Sequence, residues 1–344
     1  GSVLVGPAEV RPEIWVVGGR ITYDAPSSRA DVQTVRGWVL PGLVDAHCHI
    51  GLDAHGAVGE ATAEGQALVD RAAGALLLRD AGSPADTRWI DDRPDLPRLV
   101  RAGRHIARTR RYIRNYAHEI EPEDLATYVR REARAGDGWV KLVGDWIDRD
   151  TGDLRPCWPR EALTTAIAAA HDEGARVTAH CFAEESLRDF AAAGVDCIEH
   201  ATGLEADTID SFAAQGIAIV PTLVNIGTFP SIAAAAQLAD ITARRYATVA
   251  SAHEAGVPIY LGTDAGGSLP HGLVAREAAE LARAGLSTIE ALTAACWGAR
   301  SWLRRPGLQE GASADLVIYQ ADPREDVTVL AAPEHIVMRG TVVR

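Results

Sequence analysis

His47 and His49 stand one residue apart at the end of an apolar run. Four further candidate ligands follow at wide intervals: Lys141, His180, His200 and Asp264. Imidazole and carboxylate without any thiolate make a hard-to-borderline donor set. Such a set suits Zn2+, and also Mn2+, Fe2+ or Co2+. Singly, each residue has an ordinary explanation: a buried histidine bonded to backbone, or an aspartate capping a turn. Their shared position is less ordinary. Each lies in or at the end of an apolar run of strand length, and in a parallel barrel the βα loops converge on the C-terminal face of the strands. Residues i and i+2 of a strand share a face. His47 and His49 therefore point together, while Cys48, and Cys181 beside His180, point away.

Lys141 is the only lysine among 34 lysines and arginines. Arginine keeps its proton in a protein, whereas a desolvated lysine can become a neutral amine. Two cations about 3.5–4 Å apart need a bridging ligand. A lysine carboxylated by CO2 offers two oxygens on a long arm; an ammonium would be repelled. Lys141 is thus expected to carry a carbamate between two ions, or else to be neutral or displaced from them.

Apolar strand-length runs recur at 39–49, 75–79, 99–105, 139–143, 176–181, 195–200, 217–224 and 258–264. Alanine-rich amphipathic stretches such as REALTTAIAAAHDEGA separate most of them. Alternating strands and helices with buried parallel strands imply a doubly wound sheet or a (β/α)8 TIM barrel, and eight runs favour the barrel. Both ends of the chain read as short strands divided by turns. Residues 1–38 and 306–344 are expected to pair into one small composite β-sandwich domain, with 39–305 as the barrel. The alanine-rich segment 231–245 reads as a helix or a lid.

A net charge of -13 argues against nucleic-acid and anionic-membrane partners. No apolar run reaches membrane-spanning length and no signal-peptide pattern opens the sequence. Five cysteines at irregular spacing form no disulfide framework, so reduced thiols in a cytoplasmic setting are expected. One basic stretch stands out: Arg98, Arg101, Arg104, Arg108, Arg110, Arg111 and Arg114.

The ordered motifs LPGLVDAHCHI, VKLVGD, VTAHC, CIEH, LGTDAGG and PHG, with the closing LSTIEALTAACWGARSWL and GLQEGASADLVIYQADPRED, resemble the amidohydrolase superfamily. The resemblance is to its imidazolonepropionase-like and Xaa-Pro dipeptidase-like branch, and it spans nearly the whole chain. It implies metal-dependent hydrolysis on a (β/α)8 barrel. His47, His49 and Asp264 would hold a buried α-metal, His180 and His200 a β-metal, and carboxylated Lys141 would bridge them. Imidazolonepropionase uses one metal and no bridging lysine, so Lys141 favours the binuclear peptidase-like members and two divalent ions, Zn2+ first. Members of the branch often carry Gly-Gly-His after the third strand; here the region reads TRRYIRNYAHE.

The implied reaction is cleavage of an amide bond in an N-acyl amino acid or dipeptide, with Asp264 as proton shuttle. Arg110, Arg111 and Tyr112 follow the third strand and are candidates for gripping a substrate carboxylate, as an arginine fork does. His271, in the loop after the eighth strand, would line the mouth or cap a helix. Hydrolysis of a cyclic amide, lactone or phosphoester is the alternative reaction, and a non-enzymatic scaffold the remote one. A small-molecule substrate is the expected partner. A homo-oligomer is common for such barrels.

Overall fold

The computed structural model describes residues 1–28, 32–228 and 236–344. It is an α/β protein with a TIM-barrel-like succession of parallel strands and helices. In one sheet Leu43–Asp53 pairs with Ala75–Asp80, which pairs with Arg98–Arg101; Ala265–Gly267 flanks the other side of Leu43–Asp53. A second sheet runs His118–Ile120, Ile106–Arg108, Trp139–Val143, Arg176–Cys181, Cys197–His200, Ala218–Val220, all parallel.

Two stretches of chain link the two sheets. On one side the chain simply continues from Arg98–Arg101 into Ile106–Arg108. On the other side lies the expected eighth run, 258–264. It forms no regular strand among the described residues, yet it still bridges the sheets. Ile219 donates to Pro258 and accepts from Tyr260 at 2.8 and 3.0 Å, and Ala46 donates to Leu261 at 2.8 Å. Two expected strands are shorter or broken. The third breaks across 102–105, and the seventh stops at Val220, where Thr222 turns left-handed and a short helix, Leu223–Ile226, begins.

Apolar periodicity explains the layers. Side chains on one face of the strands pack against the helices: Val140 and Leu142, Val177 and Ala179, with Leu163 and Ile167 of the Arg160–Asp172 helix. The other face contributes a separate core of Val44, Ala46, Leu77, Val100, Trp139, Cys197, Ala218 and Val220, drawn from successive strands. Gly262 is required by close approach: a Cβ there would lie 2.6 Å from His47 Cβ and 2.4 Å from Val220.

Both chain ends enter one six-stranded sheet, ordered Val10–Arg11, Val3–Leu4, Trp38–Pro41, Leu316–Tyr319, His335–Met338, Thr341–Val342. The alanine-rich segment is helical from Ala236, in Ala236–Glu254; its first part, 231–235, lies outside the described residues. No helix among the described residues is long and apolar enough to cross a membrane. All five cysteines are free and buried.

Candidate metal centre

Strict alternation along Leu43–Asp53 would not bring its two histidines inward. Val44 and Ala46 already face the strand-lined core, so His47 should face out. The pairing with Ala75–Asp80 shifts register between Asp45 and Cys48, and this irregularity re-aims the chain as a β-bulge does. Cys48 and Ile50 then fall on the helix-facing side, leaving His47 and His49 on the other. His180 and Lys141 need no such device, since their strands alternate regularly. His200 does: Cys197 and Glu199 face inward, and φ of 68° at His200 turns its side chain back to the same side. Asp264 and Thr222 also hold positive φ, 58° and 47°. Left-handed backbone costs non-glycine residues about 1–2 kcal/mol each, and such strain gathers where side chains must be aimed.

The result is a cluster of converging donors. His47 Nε2 and His49 Nε2 are 3.3 Å apart and lie 3.1 and 3.0 Å from Asp264 Oδ1. His200 Nε2 is 2.9 Å from His180 Nδ1. The rings of His47 and His200, 5.4 Å apart, connect the two groups. Donors sharing one tetrahedral zinc at 2.0–2.1 Å lie about 3.3 Å from one another, so these separations fit ligands around a common ion. Among the described residues, His47, His49 and Asp264 form the one compact triad of metal-ligating atoms.

Three of the four imidazoles have the far nitrogen occupied; His180 Nε2 is buried without a partner in the protein. His47 Nδ1 faces Glu199 Oε2 at 2.8 Å, His49 Nδ1 the carbonyl of Gly82 at 2.6 Å, and His200 Nδ1 the hydroxyl of Thr222 at 2.7 Å. Such partners fix the tautomer and leave the near lone pair free, as around bound metals. Glu199 is itself pinned by Arg79 at 2.6 Å and by Thr178. Asp264 Oδ2 accepts from the Asn225 amide. Asn225 rides on the Leu223–Ile226 helix, whose leading amides of Leu223 and Val224 are held by the Glu277 carboxylate at 2.7 and 2.8 Å.

Electrostatics sort the donors. Burial holds His49 and His180 below the usual imidazole range and pushes His200 down to about 3. These three are neutral and ready to ligate. Burial also opposes protonation of His47, but Glu199 and Asp264 outweigh it and raise its pKa. Burial would raise Asp264, yet the neighbouring histidines, His47 foremost, hold it well below the carboxylate range. Burial lowers Lys141, and its Nζ has no hydrogen-bond partner in the protein. A buried amine without a partner favours the neutral form that carboxylation needs.

The expected substrate contacts fall differently. Tyr112 packs edge-on against His180, with ring centroids 5.4 Å apart, and against Trp146 at 4.9 Å. Arg111 turns away from the donors: its guanidinium binds Asp148 at 2.9 Å and the carbonyls of Trp146 and Arg155. It thereby clamps the Asp145–Ile147/Leu154–Pro156 hairpin. Arg110 is exposed at a left-handed position. His271 is buried against Asp70 Oδ2 at 2.8 Å, while Asp70 Oδ1 accepts from the Gly272 amide. Sequence reading missed Glu199, Asn225, Glu277 and His105. His105 closes the predicted run 99–105, the same strand-end position that singled out the other histidines.

Residues 123–343 match the family model described as Amidohydrolase family. This chain belongs to the amidohydrolase family. An uncharacterised protein of Mycobacterium tuberculosis is 53% identical over 343 residues, 97% of this chain and 92% of its own length. A Bifidobacterium longum structure assigned as a prolidase superposes with a TM-score of 0.83 at 26% identity, covering 100% of this chain and 93% of that one. An Xaa-Pro dipeptidase with methionine bound in its active site superposes with a TM-score of 0.83 at 23% identity, over 100% of this chain and 98% of its own. These likenesses place the amidohydrolase in the Xaa-Pro dipeptidase-like branch. It is a hydrolase, with a candidate metal site at His47, His49 and Asp264.

Proposed function

We propose that this amidohydrolase is a binuclear metal-dependent enzyme that cleaves the amide bond of an N-acyl amino acid or dipeptide. His47, His49 and Asp264 would hold one divalent ion and His180 and His200 the second, with carboxylated Lys141 as the ligand they would share; Zn2+ is the ion this donor set suits best. The observation that carries the reading is the presentation of imidazole lone pairs in two adjoining groups, the far nitrogens of His47, His49 and His200 held by Glu199, Gly82 and Thr222. When bound, the ions supply Lewis acidity, acidifying a water and polarising a scissile carbonyl.

The chain's own residues do the rest. Asp264 accepts a proton from the attacking water on its carboxylate and returns it to the departing nitrogen. Asn225 holds the other carboxylate oxygen, so that the exchanging oxygen stays aimed. Glu199, charged through its pairing with Arg79, orients His47. Tyr112 lines the substrate side, against His180. The likeness to an Xaa-Pro dipeptidase supports an amide as the scissile bond.

The proposed architecture is a closed (β/α)8 barrel over 39–305 with a composite β-sandwich from 1–38 and 306–344. The backbone bonds of 258–261 to both sheets support closure, and the shared sheet of the two termini supports the second domain. Metal-loaded enzyme assayed on N-acyl-prolines, other N-acyl amino acids, lactones and phosphotriesters tests the function. Turnover confined to the amides is expected; turnover of lactones or phosphotriesters alone would overturn it.

A further inference from the structure

His105 is fully buried, and neither of its ring nitrogens has a hydrogen-bond partner in the protein. Leaving a polar group unpaired inside a protein is costly. The site is nonetheless shaped for this ring. Its centroid lies 5.1 Å from that of His49 and 5.5 Å from that of Tyr112. Gly82, the residue whose carbonyl fixes His49, lacks the Cβ that would meet the His105 ring at 2.9 Å. The break in the third strand across 102–105 turns His105 inward, because Ile106 and Ala107 after it pack on the helix side.

Register places a second unpaired group beside it. Ile106 is the partner of Leu142 on the neighbouring parallel strand. One step earlier on both strands, His105 and Lys141 lie across the same strand gap. Lys141 Nζ is also buried and without a partner. Two such groups on adjacent strands, not bonded to each other, call for a group between them that accepts from the imidazole and is attached to the amine. A carboxylate on Nζ meets both conditions.

We infer that His105 is a positioning residue for the carboxylated Lys141, donating a ring N–H to a carbamate oxygen. The inference rests on the bridging-lysine reading above and assigns to His105 the hydrogen bond that retains the modification. Carboxylation joins CO2 to the neutral amine, forming one N–C bond and releasing one proton to solvent. His105 acts on the product of that step.

The test needs no substrate. Wild-type protein, His105→Phe, His105→Gln and Lys141→Ala are loaded with Zn2+ over a series of 13C-bicarbonate concentrations. Carbamate is read by 13C NMR, and zinc per chain by elemental analysis. His105→Phe keeps a flat ring and loses the donor; His105→Gln keeps a donor. In wild type a carbamate signal that Lys141→Ala lacks is expected. His105→Phe should need roughly tenfold to a hundredfold more bicarbonate for half-maximal signal, the range a hydrogen bond to a charged acceptor carries, and should lose its second zinc in parallel. His105→Gln should fall between the two. His105→Ala is read in the same way if the phenylalanine variant does not fold. An unchanged bicarbonate dependence in a folded variant overturns the role of His105 while the lysine bridge stands. No carbamate in zinc-loaded wild type overturns both.

Discussion

His47 Nδ1 lies 2.8 Å from Glu199 Oε2, and the opposite nitrogen of the same ring lies 3.1 Å from Asp264. Glu199 is thus the anchor that points a candidate ligand. Burial would raise its pKa, but Arg79, His47 and Lys141 together hold it well below the carboxylate range. Glu199→Gln keeps the shape and removes the charge that sets the His47 tautomer. Outer partners of this kind are worth about tenfold to a hundredfold in metal affinity. Competition with a chelator should show a loss of that size; unaltered affinity would contradict the anchoring role.

In the proposed reaction Asp264 is both a metal ligand and the proton carrier. Asp264→Asn keeps an oxygen for the ion and removes the basic site. Turnover should fall about a hundredfold to ten-thousandfold, while bound zinc stays within about twofold of wild type, since the other ligands are unchanged. Rate measurement and elemental analysis of one preparation check this together. Full activity would exclude the shuttle.

The neutral buried histidines carry a pH signature in metal-free protein. His49, His180 and His200 have pKa values depressed by burial, His200 to about 3. An unfolded histidine titrates near about 6.5. Between those values the unfolded chain binds protons that the folded chain does not, so stability rises with pH across the window and falls on acidification. His200 alone accounts for about 3 kcal/mol between about pH 6.5 and pH 4. His47, with a raised pKa, has the opposite sign: its contribution is present at low pH and fades as pH climbs through the folded value. Buried Asp45, Asp80, Asp145 and Glu277, raised to about 7, about 7, about 6 and about 8, also have the opposite sign. The signature is therefore read as a difference: in urea unfolding of chelator-treated protein, wild type should lose more stability than His200→Asn between about pH 6.5 and about pH 4, by about 3 kcal/mol. Parallel profiles for the two proteins would contradict the assignment.

Arg111 holds the Asp145–Ile147/Leu154–Pro156 hairpin through Asp148 and two carbonyls. Arg111→Ala should therefore lower thermal stability, with about 1–3 kcal/mol lost for a charge-assisted set of this kind. Trp146, and with it the wall beside Tyr112 and His180, would shift. The Michaelis constants for charged and amidated forms of one substrate should then change in parallel. A selective loss for the charged form would restore Arg111 as a carboxylate-binding residue.

Position at strand ends carried most of the candidate site in the sequence. His180 and Lys141 lie on strands that alternate regularly, so period-two reasoning finds them. His47, His49 and His200 were found by residue type and place, but alternation alone would have turned His47 and His200 away. A register shift and a left-handed residue correct them, and neither has a residue-type signature. Asn225 and Glu277 were invisible for another reason. They act through a four-residue helix after a strand shorter than its apolar run, and their partners are 39 and 53–54 residues away in the chain. Arg111 illustrates the converse: its charge suggested a ligand, and tertiary partners 35–44 residues on consumed it.

Anomalous diffraction from zinc-loaded crystals is the most direct test of the central claim. The account predicts two peaks per chain about 3.5–4 Å apart, one among His47, His49 and Asp264 and one against His180 and His200, with density joining Lys141 Nζ to both. A single peak, or an unmodified Lys141 amine far from any ion, would contradict it.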